Sequence, residues 1–395
     1  MTRLERLPSN PAPVRASEAR ARSFGRAWAL PIAILALAAC EGSTDGPIRI
    51  GVVGPTQLIY GESMRAAALM FQDELDAGGG IGGRRLELVI HDDAADPERA
   101  IELASQLAGD PWVAAVVGHV TSGAMLNAAP IYADSGLVAV SPTATSPDIT
   151  RSGEWVFRVC PSDREHGPAL ARWLAGPLSR RRAAVLYAND PYGRGVLEGF
   201  AGEFEAAGGA IIARDPFLSS TTQDSTGVDP YLERAIARNA DAIVIAGFAD
   251  EAATIIRAAR RLGFTGPILG GEGLLGVENA GPVTEGVYVS APFLPDGASG
   301  EAAEWVAAYQ ERYGAPPDAF AAQTYDALRL VARAIEEVGS DRSAIRDYLA
   351  SIGTVRPAFE GVSGSIAFDE NGDVPDKSVA IGRIQGGRVR SADGS

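Results

Sequence analysis

Short, wholly apolar runs recur along this chain, each followed by a helix-length segment. That alternation constrains the fold more than any other feature. Two of the runs pass directly into loops rich in hydroxyls. The first is Trp112 to Val117, followed by Gly118-His119-Val120-Thr121-Ser122-Gly123. The second is Leu137 to Val140, followed by Ser141-Pro142-Thr143-Ala144-Thr145-Ser146-Pro147. A helix-length stretch, roughly Ala124 to Asp134, separates them and makes a β-α-β unit. In a parallel sheet both loops fall on the edge where strands end and ligands bind. Helix-start N–H groups and hydroxyl donors there form a seat for a small anion such as a carboxylate. Ser122 and Thr145 would serve equally as helix caps, so both roles stay open at this level.

The same pattern predicts the other elements. Strands are expected at Ile48 to Val53 and Arg85 to His91, with helices from Glu62 to Ala77 and from Asp96-Pro97 to about Gly109. The grammar starts again after Phe157-Arg158-Val159. Strands fall at Ala183 to Tyr187, Ala210 to Ala213, Ala242 to Ala246, Pro267 to Leu269 and Val287 to Ser290, with helices ending near Ala207 and Leu262 and another from Pro230 to Asn239. Three helices follow, about Gly300 to Tyr313, Ala319 to Val338 and Arg342 to Ala350, and then strands at Ser365 to Phe368 and Val379 to Ile384. With 395 residues, 46% of them hydrophobic, the chain has material for two cores. Two successive runs of βα units imply an α/β fold of two similar doubly wound lobes with mainly parallel sheets and a cleft between them.

Formal net charge is −15; residues 1–39 hold six Arg and two Glu, so the remainder carries −19. Such acidity argues against nucleic acid or anionic membrane surfaces as partners. A general amino-acid bias explains it as well, since Lys377 is the sole lysine. Cys40 and Cys160 are the only cysteines, which allows no disulfide framework and suggests no zinc site.

The N-terminus has the form of a targeting segment. Arg20, Arg22 and Arg26 precede an apolar stretch of 13 residues, Ala27 to Ala39, short of the ~20 that span a bilayer. The stretch ends Leu37-Ala38-Ala39-Cys40, which resembles the lipobox of bacterial lipoproteins; an ordinary cleaved signal is the alternative. Residues 1–39 are thus expected to be a signal peptide, Cys40 the lipidation site, and 40–47 a tether.

Some motifs carry no chemistry. Gly78-Gly79-Gly80-Ile81-Gly82-Gly83 matches G-x-G-x-x-G but follows a helix and precedes a strand, the reverse of a dinucleotide site. Asp369-Glu370-Asn371-Gly372-Asp373 lacks the twelfth-position acid of a calcium loop, which is Ala380 here, and reads as a hairpin turn. No Walker loop, H-E-x-x-H or G-x-S-x-G occurs. Of the three histidines only His119 shares a loop with a serine, Ser122, and that pair is the one candidate for hydrolysis.

From Ile48 to Ile384 the chain resembles the Leu/Ile/Val-binding protein family, type I periplasmic solute-binding proteins of ABC importers. The stretches that carry it are Gly54-Pro55, Asp76 to Arg84, Asp92 to Pro97, Gly118 to Ser122, Ser141 to Thr145, Phe157-Arg158, Tyr192 to Gly195, Gly271-Glu272-Gly273, Tyr325-Asp326-Ala327 and Phe368 to Asp373. The resemblance implies two hinged lobes, 48–163 with 291–363 and 164–290 with 364–391. It implies that Ser122 and Thr145 hold an α-carboxylate, that the Thr143 carbonyl faces an α-ammonium, and that Glu272 pairs with that ammonium. Ala144 lies between these positions in the expected ligand-binding set. Tyr60, Tyr192, Phe248 and Tyr325 match aromatic positions around the cleft. As residues alone, Glu272 also reads as a solvated turn acid, and Tyr325 and Phe248 also read as core. Members carry a disulfide between positions matching Ala95 and Thr121, and neither is Cys here. The implied protein is not an enzyme and needs no cofactor. It is a monomeric, lipid-anchored, extracytoplasmic binding protein that delivers an amino acid, branched-chain or otherwise aliphatic, to ABC permease subunits. A ligand sensor, or a binder of amides, aromatic acids or urea-like solutes, is the alternative.

Overall fold

The structure, a computed structural model, describes residues 46–222 and 226–392. The signal segment and Cys40 lie outside the described residues, as does nearly all of the tether.

The first lobe opens with β1 (Ile48–Gly54), α1 (Ile59–Ala77), β2 (Leu86–Asp92), α2 (Pro97–Gly109), β3 (Val113–Gly118), α3 (Ser122–Ser135), β4 (Val138–Ser141) and β5 (Val156–Arg158). The five strands form one parallel sheet in the order β2-β1-β3-β4-β5. Its central strands are buried on both faces, which is why they read as unbroken apolar runs. Met125 and Tyr132 of α3 and Leu103 and Leu107 of α2 cover one face. Asp96 starts α2 by accepting from the N–H groups of Glu98 and Arg99.

The second lobe contains α4 (Asp163–Ala175), β6 (Arg182–Ala188), α5 (Pro191–Ala206), β7 (Ala210–Phe217), α6 (Ser219–Thr222), α7 (Asp229–Ala237), β8 (Ala242–Ala246), α8 (Ala249–Arg261), β9 (Ile268–Gly270) and β10 (Tyr288–Ala291). The chain then supplies α9 (Glu301–Tyr313), α10 (Ala319–Val338) and α11 (Arg342–Ala350), the short pair β11 (Phe359–Gly361) and β12 (Gly364–Ile366), and finally β13 (Ala380–Gln385) and β14 (Arg388–Ser391). The second sheet runs β14-β13-β10-β9-β8-β6-β7; it is parallel except where β13 joins β10 and β14 antiparallel. Helix α10 packs on α1 and completes the remaining face of the first lobe.

Details differ from the sequence expectation, among them β5 and α6, which it lacked. Helix α4 was not anticipated, although Ser162 and Glu165 form a complete capping box at its start. Strands β11 and β14 were not anticipated either. Asp369 to Asp373 does form a turn, with Asp369 N–H donating to the Asp373 carbonyl, but it does not close a hairpin. The flanking strands β12 and β13 pair with different partners, β11 and β10.

Candidate functional site

Both sheets present their strand C-terminal ends to the cleft, and in both the strand order reverses there, at β1/β3 and β6/β8. Strand β3 ends on Gly118, whose φ of +133° suits glycine, and a Cβ there would stand 2.2 Å from the Val53 carbonyl oxygen. The chain then turns through Thr121 into α3, which begins at Ser122 rather than Ala124. The first-turn N–H groups of α3 have no partner within the helix.

The two hydroxyl loops are tied to each other. Ser141 Oγ donates to the His119 carbonyl, Thr143 Oγ1 donates to the Val120 carbonyl at 2.9 Å, and Ser122 Oγ accepts from Ser146 N–H at 3.1 Å. Arg158, buried beneath, donates to the carbonyls of Thr145 and Ser146 and pairs with Asp373 at 2.7 Å. Neither Ser122 nor Thr145 caps a helix. The Thr121 and Thr145 hydroxyls are buried with no hydrogen-bond partner. Such groups are costly unless something else completes them.

The other lobe answers with Gly271-Glu272-Gly273, directly after β9. Tyr192 Oη accepts from Gly273 N–H at 2.9 Å. Gly271 and Gly273 let this turn lie against Tyr192, since a Cβ on either would come within 2.8 Å of Tyr192 Oη. Glu272 is only 2% exposed, so it is not a solvated turn acid. Its Oε1 accepts from Gln323 Nε2 at 2.6 Å, while Oε2 has no hydrogen-bond partner and lies 3.5 Å from His166 Nε2. Burial pushes the Glu272 carboxyl up to about 8, against the Gln323 hydrogen bond. Burial, and then the charge of Arg158, push His166 down to about 3, so it is neutral.

One small cavity brings these groups together. Val120, Thr121, Ser122, Thr143 and Thr145 line it from the first lobe's loops, and Phe320 from the first turn of α10. Tyr192, Phe248, Glu272 and Gly273 line it from the second lobe. Tyr60 lines the wider cleft outside, where it stacks on Phe248; Ala95 and Thr121 line that same cleft.

Three expected residues are not brought to the cavity: Tyr60, which lines the wider cleft, and Tyr325 and Ala144. Tyr325 lies five residues beyond Phe320, about 140° around the helix. Its ring packs on Phe71 and Trp305, and its hydroxyl donates to Glu74 at 2.6 Å. Ala144 spends its main chain inside the loop: its N–H donates to Ser141 Oγ, and its carbonyl accepts from Arg158. The His119–Ser122 pair is also ruled out as a hydrolytic couple. His119 is buried with Nδ1 on Asp93 at 2.7 Å and Nε2 on Tyr132 Oη at 3.0 Å, so both ring nitrogens are taken.

Sequence reasoning missed Phe320, Gln323 and Asp163. Asp163 opens α4, and neither carboxylate oxygen has a hydrogen-bond partner. Burial pushes it up to about 8, against the Thr145 hydroxyl and the Arg158 charge nearby. The capping box around it was the available signal; for Phe320 and Gln323 there was none beyond a helix start.

Comparison with known proteins identifies the fold and the family. A family model described as periplasmic binding protein matches residues 47–388. The leucine-, isoleucine-, valine-, threonine- and alanine-binding protein of Pseudomonas aeruginosa is 29% identical, over 83% of this chain and 87% of that protein. The solved leucine binding protein of Thermotoga maritima superimposes with a TM-score of 0.80 at 32% identity, covering 87% of this chain and 97% of that one. A branched-chain amino acid transporter substrate binding protein from Streptococcus pneumoniae, solved with isoleucine, also gives 0.80, at 27% identity and with 87% and 98% covered. The chain therefore belongs to the periplasmic binding protein family, in its type I, Leu/Ile/Val-binding kind.

Proposed function

We propose that this protein captures an α-amino acid, branched-chain or another aliphatic, between its lobes and delivers it to an ABC permease. One observation carries the reading: unsatisfied hydroxyls on one lobe and an unsatisfied carboxylate oxygen on the other line the same cavity. Ser122, Thr145 and the start of α3 suit a carboxylate, and Glu272 suits an ammonium. That pairing is complementary to a zwitterion. The rings of Tyr60, Tyr192, Phe248 and Phe320 supply apolar surface for a side chain. The relatives named for branched-chain amino acids support the same class of ligand.

The energetics suffice. Hydrogen bonds to charged groups contribute roughly 1.5–3 kcal/mol each, and burial of a Leu-sized side chain adds roughly 1.5–3 kcal/mol. A few such terms, less the cost of association, reach about −8 kcal/mol, a micromolar Kd. Capture needs no bond chemistry. The lobes close about the segments joining 48–163 with 291–363 to 164–290 with 364–391, and opening releases the ligand. In this reading the mature protein is a monomer held at Cys40 on the extracytoplasmic face of a bacterial membrane.

A thermal-shift screen tests the reading. L-leucine, L-isoleucine, L-valine and L-alanine are compared with benzoate and simple amides at millimolar concentration, where stabilisation follows RT ln(1 + [L]/Kd). The expected result is stabilisation by amino acids, lost in the Ser122→Ala/Thr145→Ala double variant. A shift only with compounds lacking a carboxylate or an ammonium would sink it.

A further inference from the structure

Gln323 is fully buried in α10 of the first lobe, and its Nε2 donates to Glu272 Oε1 of the second lobe at 2.6 Å. The contact therefore crosses the cleft. The remaining oxygens of both side chains, Gln323 Oε1 and Glu272 Oε2, are buried without a hydrogen-bond partner. A carboxylate held through one oxygen has the direction of the other fixed. Here the holding group belongs to the opposite lobe, so the direction is fixed only while the lobes are together. With the ionised carboxyl that an ammonium requires, this oxygen can only accept, which sets the Gln323 amide with its NH2 group towards Glu272.

We propose that Gln323 is a positioning residue that couples lobe closure to recognition of the ligand's ammonium group. By occupying Glu272 Oε1 it leaves Oε2 as the acceptor aimed at the ligand, and it favours the ionised carboxyl that an ammonium needs. Other groups surround Glu272 without replacing this contact. His166 on α4 is near Oε2 but outside hydrogen-bond geometry. Asp163 on α4 and Asp318 at the start of α10 oppose ionisation, and Lys377 from the C-terminal segment favours it. The inference rests on the reading of Glu272 as the ammonium partner.

The test measures affinity for L-leucine and for 4-methylpentanoate, which keeps the carboxylate and side chain but lacks the ammonium. Gln323→Met removes the donor at similar volume, and Gln323→Asn keeps the amide but withdraws it by one methylene. Ligand-free melting confirms that each variant folds. Both variants are expected to bind leucine roughly tenfold or more weakly, with 4-methylpentanoate unchanged. The rise of leucine affinity with pH should also move to higher pH, and the loss should vanish in a Glu272→Gln background. If Gln323→Met and Gln323→Asn bind leucine as the parent does while Glu272→Gln does not, the coupling is wrong. If Glu272→Gln itself retains leucine affinity, the underlying assignment is wrong.

Discussion

Tyr60 of the first lobe stacks on Phe248 of the second, with ring centroids 4.8 Å apart and planes inclined by 24°. Tyr192 and Phe320 extend the cluster, at 5.1 Å from Phe248 and 5.6 Å from Tyr60. The lobes thus meet through an aromatic wall beside the polar cavity. A stacked pair contributes about 0.5–1.5 kcal/mol beyond its buried area. Tyr60→Ala should weaken leucine binding by roughly tenfold and alanine binding by less, because the wall is where a longer side chain would rest. Calorimetric titration of both ligands checks this. Unchanged affinity for both would exclude the wall from the site.

The turn that carries Glu272 should be intolerant of any added side chain. A Cβ on Gly273 would stand 2.7 Å from the Gly247 carbonyl oxygen and 2.8 Å from Tyr192 Oη. Since the first of these is main chain, the turn itself must shift and carry Glu272 with it. Gly273→Ala is expected to lose at least one charged hydrogen bond to the ligand, roughly tenfold or more in Kd. Tyr192→Phe leaves the buried Gly273 N–H without an acceptor and should cost about 1–3 kcal/mol of stability. Wild-type binding by Gly273→Ala would refute the geometric argument.

The chain around Val159 is tied to the chain around Ser363 through the sole lysine. Lys377 Nζ donates to the Val159 carbonyl at 2.9 Å and to Ser363 Oγ at 2.7 Å. Asp326 accepts from the N–H groups of Val362 and Ser363 beside it. Burial lowers the Lys377 pKa, against the attraction of Asp326. In the folded protein an amine-directed ester should leave Lys377 unmodified, and in denaturant it should react fully, as read by peptide mass spectrometry. Ready labelling of the native protein would mean that this junction opens freely.

The parts of the site legible in the sequence are those written in main-chain grammar. Strand ends, helix starts and glycines announced the two hydroxyl loops and the Gly271-Glu272-Gly273 turn, because backbone geometry dictates those residue types. Helix α4 was missed because Gly167 and Pro168 interrupt it and charged residues crowd its short apolar face of Leu170, Ala171 and Leu174. Strands β11 and β14 have only three and four residues and are held by main-chain pairing, which leaves little periodicity to read. Phe320 and Gln323 were illegible for a different reason. They lie in a helix with buried residues on nearly every side through its first turns, and its rotation against the second lobe is set by packing between segments distant in sequence.

The same buried acids predict how binding depends on pH. Glu272 and Asp163 are pushed up to about 8 in the folded protein by burial, against roughly 4 in an unfolded chain. The folded form therefore holds protons that the unfolded form releases. The contribution of these groups to ligand-free stability is fully present below about pH 4 and is lost as pH rises to about 8. Binding reverses the balance at Glu272, because an ammonium partner favours the ionised carboxyl. With a value of about 8 in the closed, empty cavity, about nine in ten sites are protonated at pH 7, so closure around a zwitterion should expel a proton. Affinity should rise nearly tenfold per pH unit from 6 towards 8 and then level off. Titration calorimetry at pH 7 in buffers of different ionisation enthalpy should read a release approaching one proton per site. Glu272→Gln should abolish that release along with most of the affinity. An enthalpy independent of buffer at pH 7 would mean that Glu272 is already ionised in the empty cleft, and the ammonium would then meet a preformed charge.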